Sequence, residues 1–106
     1  AIRDYIHISD LADIHLTAVD FLLKQKKSMI LNCGYGVGYS VKDVINSMNN
    51  LIPYPIKVKF GNRRPGDCHY SVADNKKLLK NFLWKPKYNN LEFILSTSLE
   101  WERSLK

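Results

Sequence analysis

The spacing of apolar residues switches repeatedly between helical and strand periods, and this restricts the chain to a mixed α/β fold. Tyr5-Ile6-His7-Ile8 reads as a short strand. After it, Ser9 and Asp10 can each cap a helix whose Leu11, Ile14, Ala18, Phe21 and Leu22 recur at helical spacing. That helix should end near Lys26 and Lys27, where cations suit the negative end of its dipole. Met29-Ile30-Leu31 then reads as a buried strand, broken by a glycine-rich turn at Gly34, Gly36 and Gly38. Ser40 caps a second helix in which Val41, Val44, Ile45 and Met48 form one apolar face. Pro53 and Pro55 stop it, and Ile56, Val58 and Phe60 alternate with Lys57 and Lys59 as in a half-buried strand. Past a polar loop, Asp74 can cap a short helix through Leu78, Leu79 and Phe82. Trp84-Lys85-Pro86 forms a turn, and Leu91, Ile94, Leu95 and Ser98 place a last helix on the core. These strands are too few for a complete doubly wound sheet, so part of a larger architecture is expected.

With 106 residues, 45% of them hydrophobic, the chain fits one small domain with enough apolar material for a core. No run reaches the ~18 apolar residues of a membrane helix, and Ala1-Ile2-Arg3-Asp4 does not begin a signal peptide, so a soluble, cytoplasmic protein without a membrane partner is expected. Cys33 and Cys68 stand apart without metal-ligand spacing and read as reduced thiols. The net charge of +6 could favour nucleic acid, but the lysines are scattered and no stacking or groove-reading signature accompanies them, so no nucleic-acid partner is expected. A basic interaction module displaying Tyr35, Tyr39 and Tyr54 is the rival reading from another class.

The glycine-rich turn resembles a dinucleotide loop at first sight. Its spacing differs from G-x-G-x-x-G, and no acidic residue closes the following strand, so a structural turn is expected. Arg63-Arg64-Pro65-Gly66-Asp67 carries a stronger signal: arginine forks match phosphate oxygens, and a neighbouring carboxylate can accept from sugar hydroxyls. An exposed Arg-Asp ion pair on a turn explains the same residues. Arg3, beside Asp4, reads alone as a surface ion pair. His15 lies on the apolar side of its helix and reads as a core histidine, and His7 and His69 are too scattered from it to propose a metal site.

Taken in order, RDYIHISDLADIH at 3–15, NCGYGVGYSVKDVI at 32–45, RRPGD at 63–67, ADNKKLL at 73–79 and WKPKY at 84–88 resemble the C-terminal portion of UDP-glucose 4-epimerases. These are NAD-dependent enzymes of the extended short-chain dehydrogenase/reductase family. The resemblance implies that residues 1–106 form a small α/β nucleotide-sugar-binding segment without the main Rossmann domain. In such enzymes hydride moves between C4 of the hexose and NAD, and the 4-keto sugar turns over while its UDP moiety stays anchored. Carried over by position, Arg3 and Arg64 would grip the diphosphate and Asp67 the ribose hydroxyls. Tyr5 would shape the nucleotide site, and Ser71, small where some members have tyrosine, would admit N-acetylated hexoses.

The chain departs from the family pattern in lacking the cofactor fingerprint and the Tyr-x-x-x-Lys pair. No catalytic residue is therefore assigned, no cofactor is expected to bind this chain alone, and catalysis would require the N-terminal Rossmann half as partner. Leu83 stands where the family has Gly or Asn, and would be strained if that position needs positive φ. A stretch cut from a longer protein, a truncated reading frame and a decayed gene product are all compatible with the sequence. Apolar surface that would face the Rossmann half predicts self-association. A remnant that binds no nucleotide is the remaining alternative.

Overall fold

In the computed structural model, which describes residues 1–62 and 64–105, segments far apart in sequence meet in a sheet of very short strands. The central strand β1 (Ile2–Arg3) pairs antiparallel with β2 (Tyr39–Ser40) and parallel with β3 (Tyr70–Ser71). Ile2 faces Ser40 and Tyr70 across the ladder, and Arg3 faces Tyr39 and Ser71. Four helices complete the described fold: α1 (Ile8–Gln25), α2 (Val41–Asn49), α3 (Lys76–Asn81) and α4 (Leu91–Ser104). This is a small α/β unit, with α2 packed on α4.

Side chains satisfy the orphan amides at the helix starts, as their residue types favour. Ser40 and Asp43 form a reciprocal capping box on α2, and Asn90 accepts from the Phe93 amide at the start of α4. At α1 the cap is neither Ser9 nor Asp10 but the ring of His7, whose Nδ1 accepts from the Ser9 amide at 3.0 Å. At α3 the cap position is Asn75, and Asp74 accepts from the Lys76 amide at 3.2 Å. Helix α1 ends where its cations predict, with Lys26 in the left-handed region at φ 52° and its amide donating to the Leu22 carbonyl. Lys26 is the one described non-glycine residue with positive φ, so Leu83 escapes the strain considered for it.

The core gathers Ile14 of α1, Tyr35 of the glycine-rich loop, Leu78 and Phe82 around α3, and Trp84. Ile6, Ala18, Phe21, Leu31, Cys33 and Ile94 pack around them. Leu78 is fully buried while Leu79, its neighbour, is half exposed, as the helical period requires.

Three expected strands are corrected. The ladder forms at Ile2–Arg3 rather than at residues 5–8, because His7 is committed to capping and Ile8 already lies in α1. Met29-Ile30-Leu31 is outside regular structure, and Ile30 is 87% exposed rather than buried. The run from Ile56 to Phe60 is likewise unpaired, with Phe60 76% exposed. A strand exists only through its ladder, and among the described residues these runs form none. His15 is also corrected: it is exposed, its Nδ1 lying 2.8 Å from the Leu11 carbonyl oxygen, and the buried histidine is His7. The Cα radius of gyration is 16.7 Å, against about 13 Å for a compact domain of this length.

Candidate functional site

The glycine-rich loop binds an internal anion. Oδ1 of Asp4 accepts from the Tyr35 amide at 3.1 Å, and Oδ2 accepts from the Gly36 amide at 2.8 Å and the Ala73 amide at 3.3 Å. Two consecutive loop amides converging on one carboxylate form a concave anion seat. Gly34 makes the approach possible, since a Cβ there would stand 2.6 Å from Asp4 Oδ2 and 2.8 Å from the Ala73 methyl. Gly36 alone of the three loop glycines needs its conformational freedom, at φ +77°. The Asp4 carboxylate thus serves the backbone, in place of the Arg3 ion pair considered for it.

A second carboxylate network lies deeper. Asp10 is fully buried and accepts from the Tyr35 hydroxyl at 2.5 Å and from the amides of Lys87 and Tyr88. Burial pushes its carboxyl up, but the hydrogen bonds from Tyr35, Tyr88 and Lys87 and the nearby His7 outweigh that, leaving its pKa lowered. Burial and the bond to Asp10 push the Tyr35 hydroxyl strongly up, so it remains a donor. Tyr35 in turn accepts from the His7 amide at 3.2 Å. With Nδ1 of His7 accepting from Ser9, a neutral ring carries its proton on Nε2, 3.0 Å from the Thr97 hydroxyl. These bonds tie the loop, the start of α1, the 84–88 turn and α4 into one unit.

The sequence-predicted site residues fall into two groups. Arg3 and Ser71 are register partners on β1 and β3 and share an open depression of about 530 Å³ with Asp4, Asn32 and Asp74. Arg64 and Asp67 form an ion pair, Nε to Oδ2 at 3.1 Å, with the arginine side chain 84% exposed. Asp67 lines a separate cleft of about 700 Å³ with Val41, Lys42 and Phe60, whose ring lies 5.5 Å from the Lys42 ammonium. Tyr5 is half-buried in the segment between β1 and α1. Arg63 lies outside the described residues. Reading the sequence identified neither the loop-seated Asp4 nor the buried Asp10; the latter stands in the SDLAD stretch, whose helix-capping signal conceals its role.

The residues present do not fit a dinucleotide at the glycine-rich loop, because the amides that would face a pyrophosphate face Asp4 and Gly34 has no free space above it. Among the described residues no three His, Cys, Asp or Glu side chains are arranged to hold a metal ion, and no helix is long and apolar enough to cross a membrane. Both cysteines are free thiols, and burial pushes the Cys33 thiol up, away from the reactive thiolate.

No protein-family model matches the chain. Individual proteins do. It is 41% identical over 105 residues to a UDP-glucose 4-epimerase of Azospirillum brasilense, covering 99% of this chain and 30% of the relative. It is 40% identical over 100 residues to a UDP-glucose 4-epimerase of Rhizobium leguminosarum bv. trifolii, covering 94% of this chain and 30% of that protein. Among solved structures, the UDP-Glc/GlcNAc 4-epimerase of Campylobacter jejuni matches with a TM-score of 0.87 at 39% identity, over 98% of this chain and 31% of its own. The UDP-glucose-4-epimerase of Stenotrophomonas maltophila, with bound NAD and formylated UDP-arabinopyranose, matches with a TM-score of 0.92 at 32% identity, over 99% and 31%. The chain spans about 30% of the length of the relatives it matches. In sequence and in fold, it corresponds to the C-terminal part of UDP-glucose 4-epimerases.

Proposed function

We propose that residues 1–106 act as a UDP-sugar-anchoring unit, with Arg3 and Arg64 directed to the diphosphate and Asp67 to the ribose hydroxyls. Tyr5 shapes the nucleotide end, and Ser71 leaves room for an N-acetylated hexose. The observation that carries this reading is the register pair of Arg3 and Ser71, which sets a cation and a small hydroxyl side by side on neighbouring strands. Diphosphate oxygens match arginine forks, and hexose hydroxyls match short polar side chains. The Arg64–Asp67 pair is exposed and weakly held, so a ligand carrying both anionic and hydroxyl groups can exchange it at little cost.

In a protein as long as these relatives, the activity would be interconversion of the gluco and galacto forms of a UDP-hexose, in the cytoplasm. Anchoring the nucleotide while the hexose turns is this unit's part in that reaction. The NAD site and the Tyr-x-x-x-Lys pair are not among these 106 residues, so the chain alone is catalytically silent on this reading. The exposed apolar stripe of α1 supports a docking role toward a Rossmann half, with self-association when that partner is lacking.

Titration calorimetry with UDP, UDP-glucose and UDP-N-acetylglucosamine tests the reading. Binding that weakens roughly tenfold in Arg64→Ala is expected for loss of a charge-assisted bond to phosphate. No binding at millimolar ligand by a folded sample would refute it.

A further inference from the structure

We infer that Asp4 is the positioning residue for Arg3 at the diphosphate end of the proposed site, an inference that rests on the nucleotide-sugar reading of Arg3. Asp4 follows Arg3 at the end of β1, and its carboxylate is fastened on two sides, by the loop amides of Tyr35 and Gly36 and by the amide of Ala73. Ala73 lies two residues beyond Ser71, the register partner of Arg3. The Asp4–Ala73 bond therefore prolongs, through a side chain, the parallel pairing of β1 with β3 that the backbone carries for only two residues.

Arg3 itself is poorly restrained. Its Nη1 donates to the neighbouring Ile2 carbonyl at 2.9 Å, and among the described residues no carboxylate pairs with it. The placement of its guanidinium then depends on the backbone from which it springs, and Asp4 sets that backbone against both the loop and β3. The seat is shaped for this carboxylate: Gly34 leaves no free space at Oδ2, and three amides face its two oxygens. Asparagine keeps the size but turns one acceptor into a donor aimed at an amide, so at least one of the ties breaks. The consequence for the ligand is selective: affinity for the diphosphate falls, and affinity for the nucleoside, which Asp67 would hold, does not.

The test compares the binding of uridine and UDP to the 106-residue chain in wild type, Arg3→Ala, Asp4→Asn and the double variant. Gly34→Ala displaces the same carboxylate from its other side, and Phe82→Leu, a core change against Phe21 away from the Asp4 seat, controls for general destabilisation. Wild type is expected to prefer UDP, and Arg3→Ala and Asp4→Asn should each lower that preference by roughly tenfold, the scale of one charge-assisted contact. The double variant should lose no more than either single variant, because both changes remove one contact. Gly34→Ala should behave like Asp4→Asn, and Phe82→Leu, measured where it is folded, should keep the preference.

An intact UDP preference in folded Asp4→Asn and Gly34→Ala, or fully additive losses in the double variant, overturns the inference and leaves the nucleotide reading standing. If folded wild type binds neither ligand, the nucleotide reading falls and this inference falls with it. Failure of both Asp4→Asn and Gly34→Ala to fold would show that Asp4 serves the whole fold rather than Arg3, and overturns it as well.

Discussion

The hydroxyl of Tyr35 donates to the fully buried carboxylate of Asp10 at 2.5 Å, fixing the glycine-rich loop to the first turn of α1. Lys87 and Tyr88 bring their amides to the same carboxylate, so three segments converge on one charge. A buried carboxylate is tolerated only while its acceptor sites are filled.

Removing the hydroxyl with Tyr35→Phe should destabilise the chain by about 1–3 kcal/mol, the cost of leaving a buried acceptor short of a donor. Asp10→Asn should cost about 3 kcal/mol or more, since its amide group presents donors where the Lys87 and Tyr88 amides already donate. Urea unfolding followed by circular dichroism gives both values. Losses below about 0.5 kcal/mol, the range of ordinary surface changes, would mean that the network does not hold the loop.

The same pair predicts stability that falls at both ends of the pH scale. Asp10 has a folded pKa below its ordinary 3.8, so its contribution is complete above that value and is lost as pH falls through the folded one. Tyr35 has a folded pKa above its ordinary 10.0, so its contribution is complete below that value and is lost as pH rises beyond it, where the unfolded chain ionises first. Thermal melts across pH should therefore decline below about pH 4 and above about pH 10, near the unperturbed values. Asp10→Asn should flatten the acid arm, and Tyr35→Phe the alkaline one. A variant that retains the arm assigned to its missing group contradicts the assignment.

The two described glycines with distinct demands outside the Asp4 seat separate space from conformation. At Gly38 a Cβ would stand 2.5 Å from Ile2 Cγ2 and 2.8 Å from Val72 Cγ2, pressing on β1 and the residue after β3. At Gly66 nothing lies within 4 Å, but φ is +83°. Gly38→Ala should cost about 1–3 kcal/mol through overpacking, and Gly66→Ala about 1 kcal/mol or less through strain alone. Gly38→Ala melting no lower than Gly66→Ala would show that the strands tolerate the added methyl.

How far the fold was legible depended on whether its cause was local. Ser40 and the cations near Lys26 act within one or two turns of the chain, so α2 starts and α1 ends where residue chemistry places them, whereas the cap of α1 is His7 rather than Ser9 or Asp10. The strands failed as expectations because pairing is not local: Ile30 has an apolar strand pattern but nothing described to pair with, while Ile2 and Arg3, with little pattern, lie between β2 and β3. His7 and His15 illustrate the same limit. Their spacing puts only His15 on a helix, yet Thr97 and Ser9 draw His7 inward and leave His15 outside. At the candidate site, the chemistry of Arg3, Arg64 and Asp67 was readable from residue type. The seat that holds Asp4 was not, because its donors, at 35, 36 and 73, are backbone amides that no side-chain pattern records.

The outer face of α1 yields the last prediction. Ile8, Ala12, Leu16, Val19 and Leu23 follow one another at helical spacing and are exposed, while Ile14 on the opposite side is buried in the core. A stripe of this kind is normally covered, and the extended radius of gyration agrees with a unit that lacks part of its packing. In sedimentation velocity the chain should self-associate as concentration rises, and Leu16→Glu with Leu23→Glu should keep it monomeric. Charge repulsion cannot explain that outcome, because two glutamates lower the net charge from +6 to +4 and so weaken self-repulsion. Both leucines are at least 70% exposed, so unfolding free energy should change by no more than about 0.5 kcal/mol. A wild-type chain that stays monomeric at every concentration would show that the stripe does not drive association, and a double variant that still associates would move the contact to another surface.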